Sequence, residues 1–166
     1  LNMGINPFGF NWLLENGEEF CTPEVISVYS ANGFGEMSRN FHSLYRNRLC
    51  RGKWRDVERP VLINNWEATY FDFDEEKILN IAKKAQSLGV ELMVLDDGWF
   101  GKRDDDTNSL GDWVADRRKL PGGIETLAKK VTELGMKFGL WFEPEMVSED
   151  SDLYRAHPDW CIHVEG

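Results

Sequence analysis

Two adjacent carboxylates, Asp96 and Asp97, stand where an apolar run of the chain, residues 92–95, comes to an end. Burying an unpaired carboxylate is costly, so a buried strand does not normally finish on two acids unless they meet a partner or a ligand. Trp99 follows closely, and an indole beside carboxylates suits a polar ligand that also has an apolar face. A sugar fits that description.

Glu143 and Glu145 form a second acidic pair, on either side of Pro144. Glycoside hydrolysis needs two carboxyl groups about 5–10 Å apart. Asp96 and Asp97 are unsuited to that joint role, because neighbouring strand residues point to opposite faces. They are better suited to accept hydrogen bonds from hydroxyl groups, although helix capping or a structural ion pair would also explain them. Residues two apart on a strand share a face, which makes the glutamates rival catalytic candidates.

Three tryptophans, Trp66, Trp99 and Trp141, lie at or near the ends of three predicted strands. The C–H face of a sugar stacks on an aromatic ring, so one or two of these indoles are candidates for a binding platform. Tryptophan is also a common core residue, and a ligand role for all three is not expected.

Metal and nucleophile signatures are weak. Residues 104–108 resemble the start of a calcium loop, but Ser109 and Ala115 stand where the turn glycine and the closing glutamate would be. A solvated acidic loop is the better interpretation. The three histidines have no metal-ligand spacing, and neither a Gly-x-Ser-x-Gly elbow nor a catalytic-cysteine signature occurs. The sequence predicts no metal and no cofactor.

From Pro60 onward, strands and helices are predicted to alternate. Short apolar strands are expected at residues 61–63, 92–95 and 138–142, and helices at residues 74–89 and 124–135, separated by a polar loop at 100–120. An Ala-Lys-Lys … Leu-Gly pattern recurs in both helices, each time directly before a strand. The alternation predicts an α/β fold with a parallel sheet that delivers acids at one edge, as the start of a (β/α)8 TIM barrel does. A doubly wound sheet also alternates, but no Gly-x-Gly-x-x-Gly follows any strand.

The residues before Pro60 do not show this alternation of strands and helices. Residues 8–14 and 24–30 are strand-like, residues 36–50 have helical apolar spacing, and residues 51–59 form a charged linker.

The net charge of −10 argues against nucleic-acid binding. No signal peptide or membrane-spanning run is evident, and three scattered cysteines favour a reducing compartment, so a cytoplasmic protein without membrane attachment is expected.

Several motifs together resemble glycoside hydrolase family 36, the bacterial α-galactosidases. They are Asn-Asn-Trp-Glu at residues 64–67, Asp-Asp-Gly-Trp at 96–99, Gly-Asp-Trp at 111–113 and Leu-Trp-Phe-Glu-Pro at 140–144. The resemblance covers essentially the whole chain. It implies a retaining hydrolase that releases terminal α-linked galactose from raffinose- or melibiose-type sugars without a metal or cofactor. It also implies that Trp66, Asp96, Asp97 and Trp141 line the galactose pocket.

The resemblance places the catalytic groups elsewhere. The family's nucleophile is the aspartate of a Lys-Trp-Asp motif on the next barrel strand, and its acid/base aspartate comes later still. Here Lys53 and Trp54 are followed by Arg55, within the predicted linker. Glu143 and Glu145 thereby become structural residues, and the 166-residue chain is expected to be inactive by itself.

The resemblance implies that residues 1–34 are the end of an N-terminal β-sandwich domain. We expect a helical and charged linker at residues 35–59. The first part of the catalytic barrel, about three units by the size of such barrels, is expected at residues 60–166. Two alternatives stay open: a barrel glycosidase of other sugar specificity, and a non-catalytic carbohydrate-binding or subunit-interface module. Homo-oligomerisation of the parent protein also stays open.

Overall fold

A computed structural model describes residues 1–163 and divides the chain into two compact units, Leu1–Glu58 and Arg59–Gly166. The second unit contains the sheet and the buried core. In the first unit, the backbone before Gly33 forms no helix or strand.

The first unit is helical only in its later part. Helix α1 spans Gly33–Leu44 and continues as one π-helical turn, Tyr45–Leu49, so the predicted helix at 36–50 is confirmed. The strands predicted at residues 8–14 and 24–30 are wrong: the described residues contain no strand there. The two backbone hydrogen bonds within that stretch close local turns, Phe10 to Pro7 and Glu18 to Glu15. Strand-like residues form a strand only when another strand supplies the hydrogen-bond partners.

The second unit is built on a three-stranded parallel sheet in the order β1-β2-β3. Strands β1 (Leu62–Asn64), β2 (Leu92–Leu95) and β3 (Lys137–Leu140) each end within two residues of the predicted position. Leu92 pairs with Leu62 on one side and Lys137 on the other, so all three strands run together and their carboxyl ends share one edge. The α/β fold with a parallel sheet is confirmed.

Three helices lie between the strands, and a side-chain cap marks the start of the longest of them, α3. A short helix α2 (Trp66–Thr69) follows β1, and helix α3 (Glu75–Ser87) begins where the Asp74 carboxylate accepts a hydrogen bond from the Lys77 amide. Helix α4 (Gly123–Glu133) precedes β3, and helix α5 (Asp152–Ala156) lies near the described end.

The two repeated helix endings adopt the same conformation. Gly89 and Gly135 have φ of 87° and 82°, the left-handed region that glycine enters without a Cβ penalty. Each glycine reverses the chain directly into a strand, so the repeated Leu-Gly pattern corresponds to a repeated structural unit.

A single buried cluster fills the space between the sheet and these helices. It includes Ile78, Ala82 and Ala85 of α3 and Leu127 and Val131 of α4, which pack around the sheet. Leu88 falls within the helix predicted at residues 74–89, but it is 78% exposed because α3 has already ended. Within the described residues, every helix is too short or too polar to cross a membrane.

Candidate functional site

A cleft of about 480 Å³ opens at the carboxyl-terminal edge of the sheet. All four residues predicted to bind sugar line it, together with an arginine, a phenylalanine and two further acids: Trp66, Phe71, Asp96, Asp97, Arg103, Asp106, Trp141 and Glu143. Trp66 follows β1, the two aspartates follow β2, and Trp141 and Glu143 follow β3. Because the strands are parallel and in register, residues far apart in sequence meet at this edge.

Asp96 is held by the two asparagines at the end of β1. Asn64 Nδ2 donates a hydrogen bond of 2.7 Å to Asp96 Oδ2. Asn65 is fully buried, and its Oδ1 accepts a hydrogen bond from the Asp96 amide at 2.9 Å while its Nδ2 donates to Thr69 Oγ1. Neutral amides from a neighbouring strand therefore fix both the backbone and the carboxylate of Asp96.

Asp97 is instead held by an ion pair with Arg103. Arg103 Nε donates to Asp97 Oδ1 at 2.6 Å, and the same oxygen accepts a hydrogen bond from the Gly98 amide. Asp97 is 6% exposed and Arg103 is 3% exposed, so the ion pair is buried. A buried charge is stable only when it is paired and hydrogen-bonded, and this pair meets both conditions.

The two aspartates line one cleft but turn to different partners, Asp96 to Asn64 at the end of β1 and Asp97 to Arg103 in the loop. Strand β2 ends at Leu95, and the chain turns at Asp97 and Gly98, where Gly98 has a φ of 93°. Alternation of side chains applies only while the backbone stays extended. Beyond the strand the turn brings both carboxylates to the same cleft.

The tryptophans divide into two groups. Trp66 and Trp141 line the cleft, and the Trp66 ring packs edge-on against Phe71 at 5.1 Å between centroids. Trp99 is 3% exposed and belongs to the core, where its Nε1 donates to the Trp141 carbonyl oxygen at 3.0 Å. Trp99 is therefore not a platform, and it fixes the backbone of a residue that lines the cleft.

The two glutamates also separate. Strand β3 ends at Leu140, so Glu143 and Glu145 lie beyond it and the expected shared strand face does not exist. Glu143 lines the cleft, whereas Glu145 lines a different, more apolar cavity beside Met146.

Two carboxylates of the acidic loop at residues 104–108 accept hydrogen bonds from nearby side chains. The Arg118 guanidinium donates to Asp104 and lowers the pKa of that carboxyl, and the Thr107 hydroxyl does the same for the pKa of Asp105. Asp106 extends to the cleft. In the part of the chain that the structure describes, no group of three or more metal-ligating side chains is close enough to hold an ion.

Arg103 is the site residue that sequence reasoning missed. It lies in the polar loop predicted at residues 100–120, yet it is buried and also donates to the Asn108 carbonyl oxygen through Nη1 at 2.6 Å. The available signal was indirect: two adjacent acids after a buried strand require a compensating cation, and Arg103 is six residues from Asp97.

Comparisons with known proteins show which sequences and folds the chain is similar to. The sequence matches the family described as Melibiase over residues 19–166. It is 68% identical over 164 residues to the alpha-galactosidase AgaA of Geobacillus stearothermophilus, covering 99% of this chain and 22% of that protein. It is 57% identical to the alpha-galactosidase Mel36A of Lactobacillus acidophilus, covering 100% of this chain and 23% of that protein.

A solved structure of an AgaA variant in complex with raffinose superposes with a TM-score of 0.88 at 67% identity, over 98% of this chain and 23% of that one. The chain thus spans less than a quarter of the length of these relatives.

Proposed function

Because this chain belongs to the melibiase family, we propose that it forms the galactose-binding part of an α-galactosidase of glycoside hydrolase family 36. The observation that carries the proposal is the cleft at the edge of the sheet, where Asp96, Asp97, Trp66 and Trp141 converge from three successive strand ends. Carboxylates that accept hydrogen bonds and indoles that pack on C–H faces are the chemistry that a neutral sugar requires.

The proposed reaction is the retaining release of terminal α-linked galactose from raffinose- or melibiose-type sugars. The relative AgaA has been solved with raffinose and with stachyose, which supports this substrate class. In the proposal Asp96 and Asp97 bind galactose hydroxyls, Trp66 and Trp141 form apolar walls, and the nucleophile and acid/base come from residues outside this chain. Glu143 borders the cleft without a catalytic role.

We propose for the chain the domain organisation that the family resemblance implies. Residues 60–166 would form the first units of a (β/α)8 barrel, residues 35–59 a linker, and residues 1–34 the end of a β-sandwich domain. We also propose a cytoplasmic location, which three free cysteines, Cys21, Cys50 and Cys161, support because a reducing compartment keeps thiols free.

Binding and turnover test the proposal separately, in the full-length protein that carries this chain. We expect it to bind 1-deoxygalactonojirimycin, a ligand solved with AgaA, and to hydrolyse nitrophenyl α-galactoside. Asp96→Asn and Trp141→Ala should each weaken binding about 10-fold or more, because a charged hydrogen bond or an aromatic wall is lost. Arg155→Met, on the surface, is the matched control and should bind normally.

The same assay separates the alternatives. Preference for glucose- or N-acetylgalactosamine-type ligands would replace the sugar specificity but keep the enzyme class. Binding without turnover by the full-length protein would indicate a carbohydrate-binding module. Turnover by the isolated 166-residue chain that is lost in Glu143→Gln would show that the catalytic groups have been assigned wrongly.

A further inference from the structure

The two aspartates of the cleft differ in how many of their acceptor atoms are already in use. Both carboxylate oxygens of Asp96 accept hydrogen bonds, Oδ1 from the Asp97 amide and Oδ2 from Asn64. Asp97 Oδ1 accepts two, from the Gly98 amide and Arg103, whereas Oδ2 accepts none from the described residues. Of the four carboxylate oxygens, Asp97 Oδ2 is therefore the one that accepts no hydrogen bond from the described residues and can accept one from a ligand.

Arg103 determines which oxygen of Asp97 remains available to a ligand. Its guanidinium is planar, so a hydrogen bond from Nε to Asp97 and another from Nη1 to the Asn108 carbonyl fix the plane in one orientation. The rings of Phe71 and Phe100 lie 5.8 and 5.7 Å from the guanidinium carbon and restrict it further. A fixed guanidinium on Oδ1 holds the Asp97 carboxylate in place and leaves Oδ2 to accept a hydrogen bond from a ligand.

Acids outnumber cations among the residues that line the cleft, so Arg103 is important for balancing their charge. Among the described lining residues the acids are Asp96, Asp97, Asp106 and Glu143, and Arg103 is the cation. Lys119 is near but is committed elsewhere, since its Nζ donates to the Gly98 and Arg103 carbonyl oxygens and pairs with Asp104. Arg103 thus supplies the charge compensation for Asp97 directly.

We propose that Arg103 is a positioning residue for sugar recognition, which orients Asp97 so that its Oδ2 accepts a hydrogen bond from one particular hydroxyl of galactose. This inference rests on the proposed function and deepens it. Arg103 acts through Asp97, so its removal should abolish the recognition of that one hydroxyl and leave the others unaffected.

A set of monodeoxygalactoses, each lacking one hydroxyl, tests this in the full-length protein by competition with 1-deoxygalactonojirimycin. In the wild type, one of these sugars should bind about 10- to 100-fold more weakly than galactose because the hydrogen bond to charged Asp97 is lost. Asp97→Asn should remove that penalty and retain the penalties at the other positions. Arg103→Lys should show the same pattern as Asp97→Asn, since lysine keeps the charge but not the planar double contact.

Each result has a distinct meaning. A wild type that binds no galactose-type ligand overturns the proposed function, and this inference with it. A wild type that binds normally, with Arg103→Lys keeping every penalty, overturns the inference alone. A general weakening across all the sugars also overturns it, because a purely structural role would act on every hydroxyl.

The double variant Asp97→Asn with Arg103→Met guards against failure to fold, since it leaves no stranded charge. If Arg103 acts through Asp97, this variant should bind each sugar within about 3-fold of Asp97→Asn alone, because the effects of coupled residues are not additive. A further loss of 10-fold or more would overturn the proposal. Arg155→Met is the control for loss of a guanidinium and should keep the wild-type pattern.

Discussion

The two sides of the cleft hold their acids by different physical means. On the sheet side, Asp96 is fixed by Asn64 and Asn65, neutral amides at the end of a neighbouring strand. On the loop side, Asp97 is fixed by Arg103, a buried cation from an irregular segment. Adjacent residues of one chain thus depend on two unrelated supports.

The difference has an energetic consequence. A hydrogen bond between neutral partners contributes about 1 kcal/mol net. Removal of one member of a buried ion pair costs about 3–5 kcal/mol, because the remaining charge is left without compensation. The loop side should therefore be the more sensitive side of the cleft, even though it has less regular structure.

The most direct test of this comparison is to truncate each acid. Asp97→Ala strands the Arg103 charge and should lower the free energy of unfolding by about 3–5 kcal/mol. Asp96→Ala strands only neutral donors and should lower it by about 1–3 kcal/mol. Urea unfolding followed by tryptophan fluorescence measures both. Equal losses would show that the two supports do not differ.

A second test compares the two amides on the sheet side. Asn65→Ala leaves the buried Asp96 amide without its acceptor and should cost about 1–3 kcal/mol. Asn64→Ala removes an exposed side chain that water can replace, and should cost less than about 1 kcal/mol. If the buried and exposed asparagines prove equivalent in unfolding experiments, Asp96 is not supported in the way described.

A smaller effect on stability is expected at Trp99, whose indole links the turn after β2 to the backbone after β3. Trp99→Phe removes the hydrogen bond to the Trp141 carbonyl and should cost about 1–2 kcal/mol, including the lost packing. Trp113→Phe is the matched control, because the Trp113 ring packs against Phe100 and Phe142 and makes no indole hydrogen bond within the described residues. A greater loss in melting temperature for the control would contradict this role of Trp99.

The smallest effect concerns the exposed part of the acidic loop. Hydrogen bonding to Arg118 lowers the pKa of Asp104 from the ordinary value of 3.8, so ionised Asp104 stabilises the fold above that pH and loses this effect as the pH falls through its folded-state pKa. Asp104→Asn should therefore cost less than about 1 kcal/mol at neutral pH, since solvent screens the pair.

That cost should shrink as the pH falls below 3.8 and vanish once the pH is below the lowered pKa of Asp104. Melting temperatures of the wild type and Asp104→Asn, measured across the acid range, give the comparison. A difference that stays constant with pH would exclude Asp104 ionisation as its source.

The elements that sequence predicted best are those specified locally. Asp74 and Gly89 mark the two ends of α3 by capping chemistry, and the apolar period between them identifies the buried face. The parallel register then brought Trp66, Asp97 and Trp141 to one edge, as alternation implied. These features need little knowledge of the rest of the molecule.

The features that sequence missed depend on contacts distant in the chain or on the point where a strand ends. Residues 8–14 have strand composition but no pairing partner, and composition alone cannot supply one. Trp99 was a candidate platform until packing placed it in the core. Arg103 looked solvated because its neighbours are acidic and polar, and only the three-dimensional structure shows its burial.

The composition of the cleft has a consequence for what it excludes. Among the described residues, four acids and one arginine line it, so its walls carry an excess of negative charge. A uronic acid or a sulfated sugar would bring an additional anion into this field and would be repelled, while an uncharged sugar of the same shape would not. The acids that are proposed to bind hydroxyls would thus also disfavour acidic polysaccharides, before any hydroxyl is recognised.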